Sequence, residues 1–495
     1  MFDKLKQKFE KLSVGGSSGE PIPTEEVVFG EELPEEVVYK YRYNHGVNLG
    51  SLFVLEEWIF NSVFEHGGGN EFDAVNNYLK NGKSEDEVAK KLQDHYHDYS
   101  CRIDWDWLKN EVGITAVRVP IGYWHVRDGD LLSGLPFEPL KKVYHLAKPT
   151  NYLKDIIESA RNRGIGVLID IHGLPGGANG DGHSGFPNRG ADFFRNSGYI
   201  DRICNDIIPA IIEDICKPNK NVIGLQVVNE SVFDNNAHGQ KNYYKRAIQT
   251  IASNQPGLPV IISDGWWPQQ WSDWLKHEKL DLVTVVDTHV YRCFSDEDKK
   301  KSADQIINDL EGSTSFPKND ADFVVGEFSG VLDEETWKKS PGDRNEYAKQ
   351  FLNKELEVFS KSSSWGWFFW TLQFKYGDGG EWGLKPMYER GGIKKRSTQN
   401  NLNIDDNRVR QIIDEHINYW KDKGGDKFEH WRFEDGINSA ISDIKEFARF
   451  DNSRLGRWHA WKAQRRNDYM KKKGDSEYMW EWDQGYDRGI AEFNF

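Results

Sequence analysis

Only four of the 495 residues are cysteine. Cys101, Cys204, Cys216 and Cys293 are scattered, without the close spacing of a metal site. Four is too few for a disulfide-stapled secreted scaffold, and it fits a reducing compartment. Long apolar runs are absent as well. Nothing approaches the ~18 consecutive apolar residues that a membrane span needs, so a spanning protein is excluded. Positive charge is in deficit, with 64 Lys and Arg against 79 Asp and Glu and a net charge of −15. A surface of that sign repels phosphate backbones, which argues against nucleic acid as a partner. No Gly-x-Gly-x-x-Gly follows the first apolar run, so the dinucleotide fingerprint is missing. There is no His-Glu-x-x-His and no His-x-His at the end of that run, so no metal is expected in the chemistry.

Aromatic residues are plentiful, at 27 Phe, 20 Tyr and 19 Trp. So many rings need a core to pack in, which rules out a disordered chain. Sugars also stack on aromatic faces, a first hint of function. At the N-terminus, Phe2, Leu5, Phe9 and Leu12 recur at helical spacing among Lys4, Lys8 and Lys11, predicting a short amphipathic helix. That helix either docks on the protein or touches a membrane surface or partner. The segment has no continuous apolar stretch and no cleavage signal, so it does not read as a secretory leader. Together with the sparse cysteines, this gives a cytoplasmic expectation.

From about residue 40 to 400, short β-rich runs alternate with helical patterns. The runs are Gly46–Val54, Ala116–Ile121, Gly166–His172, Val222–Asn229, Pro259–Asp264, Leu282–Val290, Phe323–Phe328 and Gly366–Thr371. Several are near-continuously apolar, as parallel strands buried on both faces must be. Between them fall helical segments such as Asn151–Arg163, Phe193–Cys216, Tyr243–Asn254 and Asn345–Ser360. The fold class expected is α/β, a (β/α)8 TIM barrel. Residues 401–495 change texture into charged, Trp-rich helical patterns: Asp405–Lys421, Phe428–Phe450, Leu455–Lys473 and Tyr478–Phe493. We read them as a helical C-terminal extension, with 1–39 as an N-terminal helix and linker.

Arg118, His172, Asn229, Glu230, His289, Tyr291, Glu327 and Trp370 all fall toward the C-terminal ends of these runs. In a barrel those ends share one face, where such enzymes build their active sites. Glu230 and Glu327 follow the fourth and seventh runs, with Arg118 as a nearby cation. Two carboxyls in different surroundings can divide into proton donor and nucleophile, which is what cleavage of an acetal requires.

The ordered segments Gly-Val-Asn-Leu-Gly (46–50) with Phe-Val-Leu-Glu (53–56), Val-Arg-Val-Pro-Ile-Gly-Tyr-Trp (117–124), Asp-Ile-His-Gly-Leu-Pro-Gly (170–176), Asn-Glu (229–230), Asp-Thr-His-Val-Tyr (287–291), Gly-Glu-Phe (326–328) and Phe-Trp-Thr (369–371) resemble glycoside hydrolase family 5, and within it the fungal exo-β-1,3-glucanases. The resemblance implies a retaining β-glycosidase with no cofactor, acting on a small glucoside or oligosaccharide. Glu327 would be the nucleophile and Glu230 the acid and base. Arg118 and Tyr291 would orient Glu327, and Asn229 would bind the sugar 2-hydroxyl. His172 and His289 would hold hydroxyls or support the carboxylates. Trp370 would form the sugar's floor, and Glu56 would accept bonds from its outer hydroxyls.

The sequence departs from those glucanases on the substrate side. Asn179-Gly180 is followed by Asp181 where they carry a clamp aromatic, and Phe294 supplies the other jaw. Their Gly-Gly-Trp is replaced by Gly50-Ser51-Leu52. These changes bring in an intracellular glucosidase for steryl, lipid or flavonoid glucosides as an alternative, with Trp124, Trp266, Trp267 and Trp382 as aglycone-site aromatics. A transglycosylase and a non-catalytic carbohydrate-binding protein are the other readings.

Overall fold

A computed structural model describes residues 27–187, 190–278, 284–314, 316–317, 321–400, 402–424 and 427–494. The amphipathic segment expected over residues 2–12 and its linker lie outside them.

Eight parallel strands close into a barrel in chain order. They are β1 (Asn44–Asn48), β2 (Ala116–Gly122), β3 (Gly166–Gly173), β4 (Val222–Gln226), β5 (Val260–Ser263), β6 (Thr284–Val290), β7 (Asp322–Phe328) and β8 (Gly366–Phe369). Each matches an expected run, but β1 and β4 stop early. Phe53 and Val54 lie in a loop beyond β1, and Asn229 and Glu230 lie beyond β4. Helices occupy the connections, among them Pro149–Arg161, His238–Asn254 and Arg344–Ser362. The last of these starts on an Asp343 cap, whose side chain accepts from the Glu346 amide and satisfies one of the helix's free N–H groups.

Side chains on a strand alternate faces, so every second residue enters the barrel. At the strand starts the interior is apolar, where Ala116, Leu168, Ile223, Ile261, Val285, Val324 and Phe368 pack together. One layer higher it is polar, with Asn48, Arg118, Asp170, Gln226 and Asp287 all buried.

The helix Glu35–Tyr41 crosses the expected boundary at residue 40. It packs on the C-terminal helices His430–Arg449, Trp458–Lys473 and Met479–Phe493, sharing a core with Ile444, Phe447, Trp461, Trp482 and Tyr486. A further helix, Asp406–Lys421, packs through Ile412 on Phe433, Ile437 and Ile441. Gly436 and Gly485 let two of these helices touch. A Cβ at Gly436 would lie 2.3 Å from the Trp482 carbonyl, and one at Gly485 would lie 2.1 Å from that of Phe433. This unit closes the strand-start end of the barrel. Asp322, the first residue of β7, accepts from the amides of His459 (3.3 Å) and Ala460 (3.1 Å) at the start of Trp458–Lys473. A carboxylate at that position complements the helix dipole.

Candidate active site

Arg118 organises the polar layer from the middle of β2, with no solvent exposure. Its guanidinium donates to Asn48 Oδ1 (2.8 Å), Gln226 Oε1 (2.9 Å), Asn229 Oδ1 (2.8 Å) and Glu327 Oε1 (2.9 Å), and pairs with Asp170 at 3.0 Å. Burial alone would lower its pKa, but Asp170, Glu327 and Asp287 outweigh burial and raise it. A rigid fork with five donors suits this arrangement, because residues from β1, β3, β4 and β7 or their ends meet on one cation.

Glu327 owes its position to a flaw in the ladder. In an unbroken strand it would share the outward face of Val325. The β6–β7 register slips by one residue between Thr288 and His289, so Glu327 pairs opposite His289. Gly326 is needed at the slip, since a Cβ there would stand 2.2 Å from Asp287 Oδ1, which accepts the Gly326 amide at 2.7 Å. Turned inward, Glu327 accepts from Arg118 and from the Tyr291 hydroxyl (3.0 Å).

Glu230 sits past β4 with a left-handed φ of 43°. Its backbone carbonyl accepts from Asn179 Nδ2 at 2.8 Å. Its two carboxylate oxygens meet two imidazoles, His289 Nδ1 at 2.8 Å and His183 Nε2 at 2.9 Å. Burial would raise the carboxyl pKa, but the two histidines outweigh it and hold it well below the usual range. His183 is pushed up to about 9, burial being overcome by its bond to Glu230. His289 rises well above its ordinary value against burial, because Glu327, Asp287 and Glu230 surround it. Its Nε2 faces Asp287 Oδ2 at 3.0 Å, so both ring nitrogens meet carboxylates. Glu230, His289 and Glu327 each bring a donor atom within 4.8 Å of the others. An imidazolium bridging carboxylates in this way is a store of protons and a poor metal ligand.

The remaining expected residues gather around this pair. His172 Nδ1 contacts Asp170 at 2.7 Å, and Asn229 Nδ2 donates to His172 Nε2 at 3.3 Å. Trp370 is buried at the end of β8, its ring parallel to that of His172 with centroids 6.2 Å apart. Glu56 lies in the loop after β1 and accepts from Trp58 Nε1 at 2.8 Å; burial raises its pKa. Phe294 is 64% exposed and faces Tyr291 and Trp382. Trp58, Phe233 and Trp266 are also half exposed or more, and Trp266 stands 6.4 Å from His289. Trp124 does not join them. It is fully buried, stacked on Phe137 at 4.0 Å, and its Nε1 donates to Glu71 at 2.9 Å.

Sequence reasoning missed Asn48, Asp170, His183, Gln226 and Asp287. Asp170 and Asp287 were legible in principle. Each lies two residues before a histidine, which on a strand puts the pair on one face. His183 sits in an irregular loop, where no periodicity marks it.

Comparisons with known proteins identify the family of the chain. The cellulase model of glycosyl hydrolase family 5 matches residues 81–376, and a glucan 1,3-beta-glucosidase 3 C-terminal domain matches residues 403–495. An uncharacterized glycosyl hydrolase of Saccharomyces cerevisiae is 54% identical and covers 100% of both chains. The glucan 1,3-beta-glucosidase 3 of Schizosaccharomyces pombe is 31% identical over 88% of this chain and 92% of its own. In structure, the rutinosidase of Aspergillus niger aligns with a TM-score of 0.56 and 21% identity, covering 72% of this chain and 99% of its own, a likeness of fold. The chain is a glycoside hydrolase and belongs to glycosyl hydrolase family 5.

Proposed function

We propose that this hydrolase cleaves terminal β-glucosidic bonds with retention, by double displacement. The observation that carries this reading is the closeness of Glu230 and Glu327, which bring carboxylate oxygens within 4.8 Å of each other. Retaining enzymes hold their carboxyls about 5–5.5 Å apart, whereas inverting ones need ~6.5–9.5 Å to admit a water. Glu327, oriented by Arg118 and Tyr291, attacks the anomeric carbon as the bond to the aglycone breaks. Glu230 delivers a proton to the departing oxygen, then takes one from the water that releases the sugar from Glu327. With Glu230 ionised, the protons reside on His183 and His289, and transfer across either hydrogen bond arms Glu230 as the acid. Asn229 meets the sugar 2-hydroxyl, His172 and Glu56 its other hydroxyls, and Trp370 its face.

The name of the S. pombe relative supports a β-1,3-linked glucoside as substrate. The exposed rings of Trp58, Phe233, Trp266 and Phe294 favour a second reading at the leaving-group side, a glucoside with a flat apolar aglycone. Residues 40–400 do the chemistry in this proposal, and 401–495 close the barrel. We place the protein in the cytoplasm, a reading supported by four cysteines that form no disulfide. Among the described residues no helix is long and apolar enough to cross a membrane.

The test is hydrolysis of an aryl β-glucoside followed by NMR of the first-formed sugar. The β-anomer is expected, and Glu327→Gln should lower kcat on the order of 10⁴-fold. An α-anomer, or full activity in that variant, would sink the proposal. A panel of laminari-oligosaccharides, steryl glucoside and flavonoid glucosides then separates the two substrate readings.

A further inference from the structure

The chemistry of the barrel uses none of the C-terminal helices, yet three of them aim side chains at one point. His416 projects from Asp406–Lys421, His430 opens His430–Arg449, and Glu481 lies in Met479–Phe493. His416 Nε2 and His430 Nδ1 both contact the same oxygen, Glu481 Oε2, at 3.0 and 2.8 Å. The three donor atoms lie within 4.8 Å of one another.

Two further observations set this cluster apart from an ordinary hydrogen-bonded triad. Glu481 has no solvent exposure, and its second oxygen, Oε1, is buried without a hydrogen-bond partner. Among the described residues its only ion-pair partners are the two imidazoles. A buried carboxylate so poorly compensated is costly unless a cation joins it. The helix Asp406–Lys421 also buries only Ile412 and His416 of its 16 residues. Ile412 seats it on Phe433, Ile437 and Ile441, and His416 adds a buried polar tie to Glu481. The His416 ring lies flat on Phe433, with centroids 3.7 Å apart, which fixes its direction. Trp420, Phe428 and Trp480 pack on one another beside the cluster.

We propose that His416, His430 and Glu481 bind a first-row transition dication, zinc foremost, which pins the three helices together. Two imidazole nitrogens with a carboxylate are a zinc donor set, whereas Ca²⁺ and Mg²⁺ take shells of oxygen. Zinc bonds of about 2.0–2.2 Å in a tetrahedron hold donors roughly 3.3 Å apart, a few tenths of an ångström wider than the present contacts. Oε1, otherwise unpaired, completes the shell by bidentate coordination. The partly exposed His430 side chain provides the way in. A neutral ring that donates to Oε2 presents the same nitrogen to the ion by changing tautomer. The site stands at the opposite end of the barrel from Glu327, so the ion is structural.

The experiment uses the full chain, stripped with a chelator, reloaded with Zn²⁺ and passed through gel filtration. About one equivalent of zinc should be retained, with Tm raised by about 2–4 °C over the stripped protein. Co²⁺ in its place should give visible d–d absorption. His416→Gln and His430→Gln should each lose the metal and the Tm rise, with far-UV circular dichroism reporting that they are folded. Of the two, His430→Gln alters the more exposed side chain and perturbs packing less. Glu327→Gln should keep its zinc. The proposal is overturned if the wild type retains no zinc and shows no shift. It is equally overturned if both histidine variants keep the metal while Glu327→Gln loses it, which would assign the ion to the barrel mouth.

Discussion

At the strand starts, Ala116, Leu168, Val285, Val324 and Phe368 meet in an apolar plug beneath the helix Glu35–Tyr41 and the C-terminal helices. A few residues further along the same strands, Arg118 gathers Asn48, Asp170, Gln226 and Glu327. The lower end gains from removing apolar area from water. The upper end costs desolvation, which the hydrogen bonds and ion pairs around Arg118 offset. The barrel thus separates the region that holds it together from the region that reacts, and the two should fail differently under mutation.

The largest expected effect lies in the polar layer. Arg118→Met removes the guanidinium from Asp170, Asp287 and Glu327, and should cost about 3–5 kcal/mol of stability as well as most of the activity. A denaturant titration paired with kcat measures both; stability lost without activity would break the contrast between the two ends. Next is Trp461→Ala below the barrel, where the Trp461 ring is buried among Phe29, Tyr41 and Phe447. It should cost about 3–5 kcal/mol and leave kcat at low temperature within twofold. A large fall in kcat would show that the lower end reaches the chemistry.

His183→Gln gives a smaller, pH-dependent effect. The folded pKa of His183 is raised from 6.5 to about 9, so its pairing with Glu230 stabilises fully below pH 6.5 and is lost as pH rises through 9. Glu230, lowered from 4.5, contributes above that pH and loses its contribution as pH falls through its folded pKa. The Tm gap between wild type and His183→Gln should therefore be widest near pH 6 and close by about pH 10. A gap constant across that range would remove the charge from the argument. The smallest effect is expected at the rim. Phe294→Ala should raise KM about 3- to 10-fold for an aryl glucoside, with kcat within twofold and Tm unchanged. A loss in kcat instead would bring Phe294 into the chemistry.

The barrel was legible because parallel strands buried on both faces must be written as apolar runs. Glu230 and Glu327 were legible because carboxylates stand out after such runs. The β4 boundary was not, since Val227 and Val228 continue the apolar pattern after the strand has ended at Gln226. Trp124 read as an aglycone aromatic because sequence cannot tell a ring that faces a cleft from one stacked on Phe137.

By itself the sequence determined eight strands in order, the residues at their ends and the family to which they belong, since each of these is written in local pattern and spacing. Only the tertiary structure decided which way Glu327 turns. Its inward face depends on a one-residue slip against β6, a relation between two strands that neither strand encodes alone. The same holds for His183 on Glu230, and for His416, His430 and Glu481 converging from three helices. Such contacts join residues 47 to 65 positions apart, where no periodicity reaches and packing alone sets the distance.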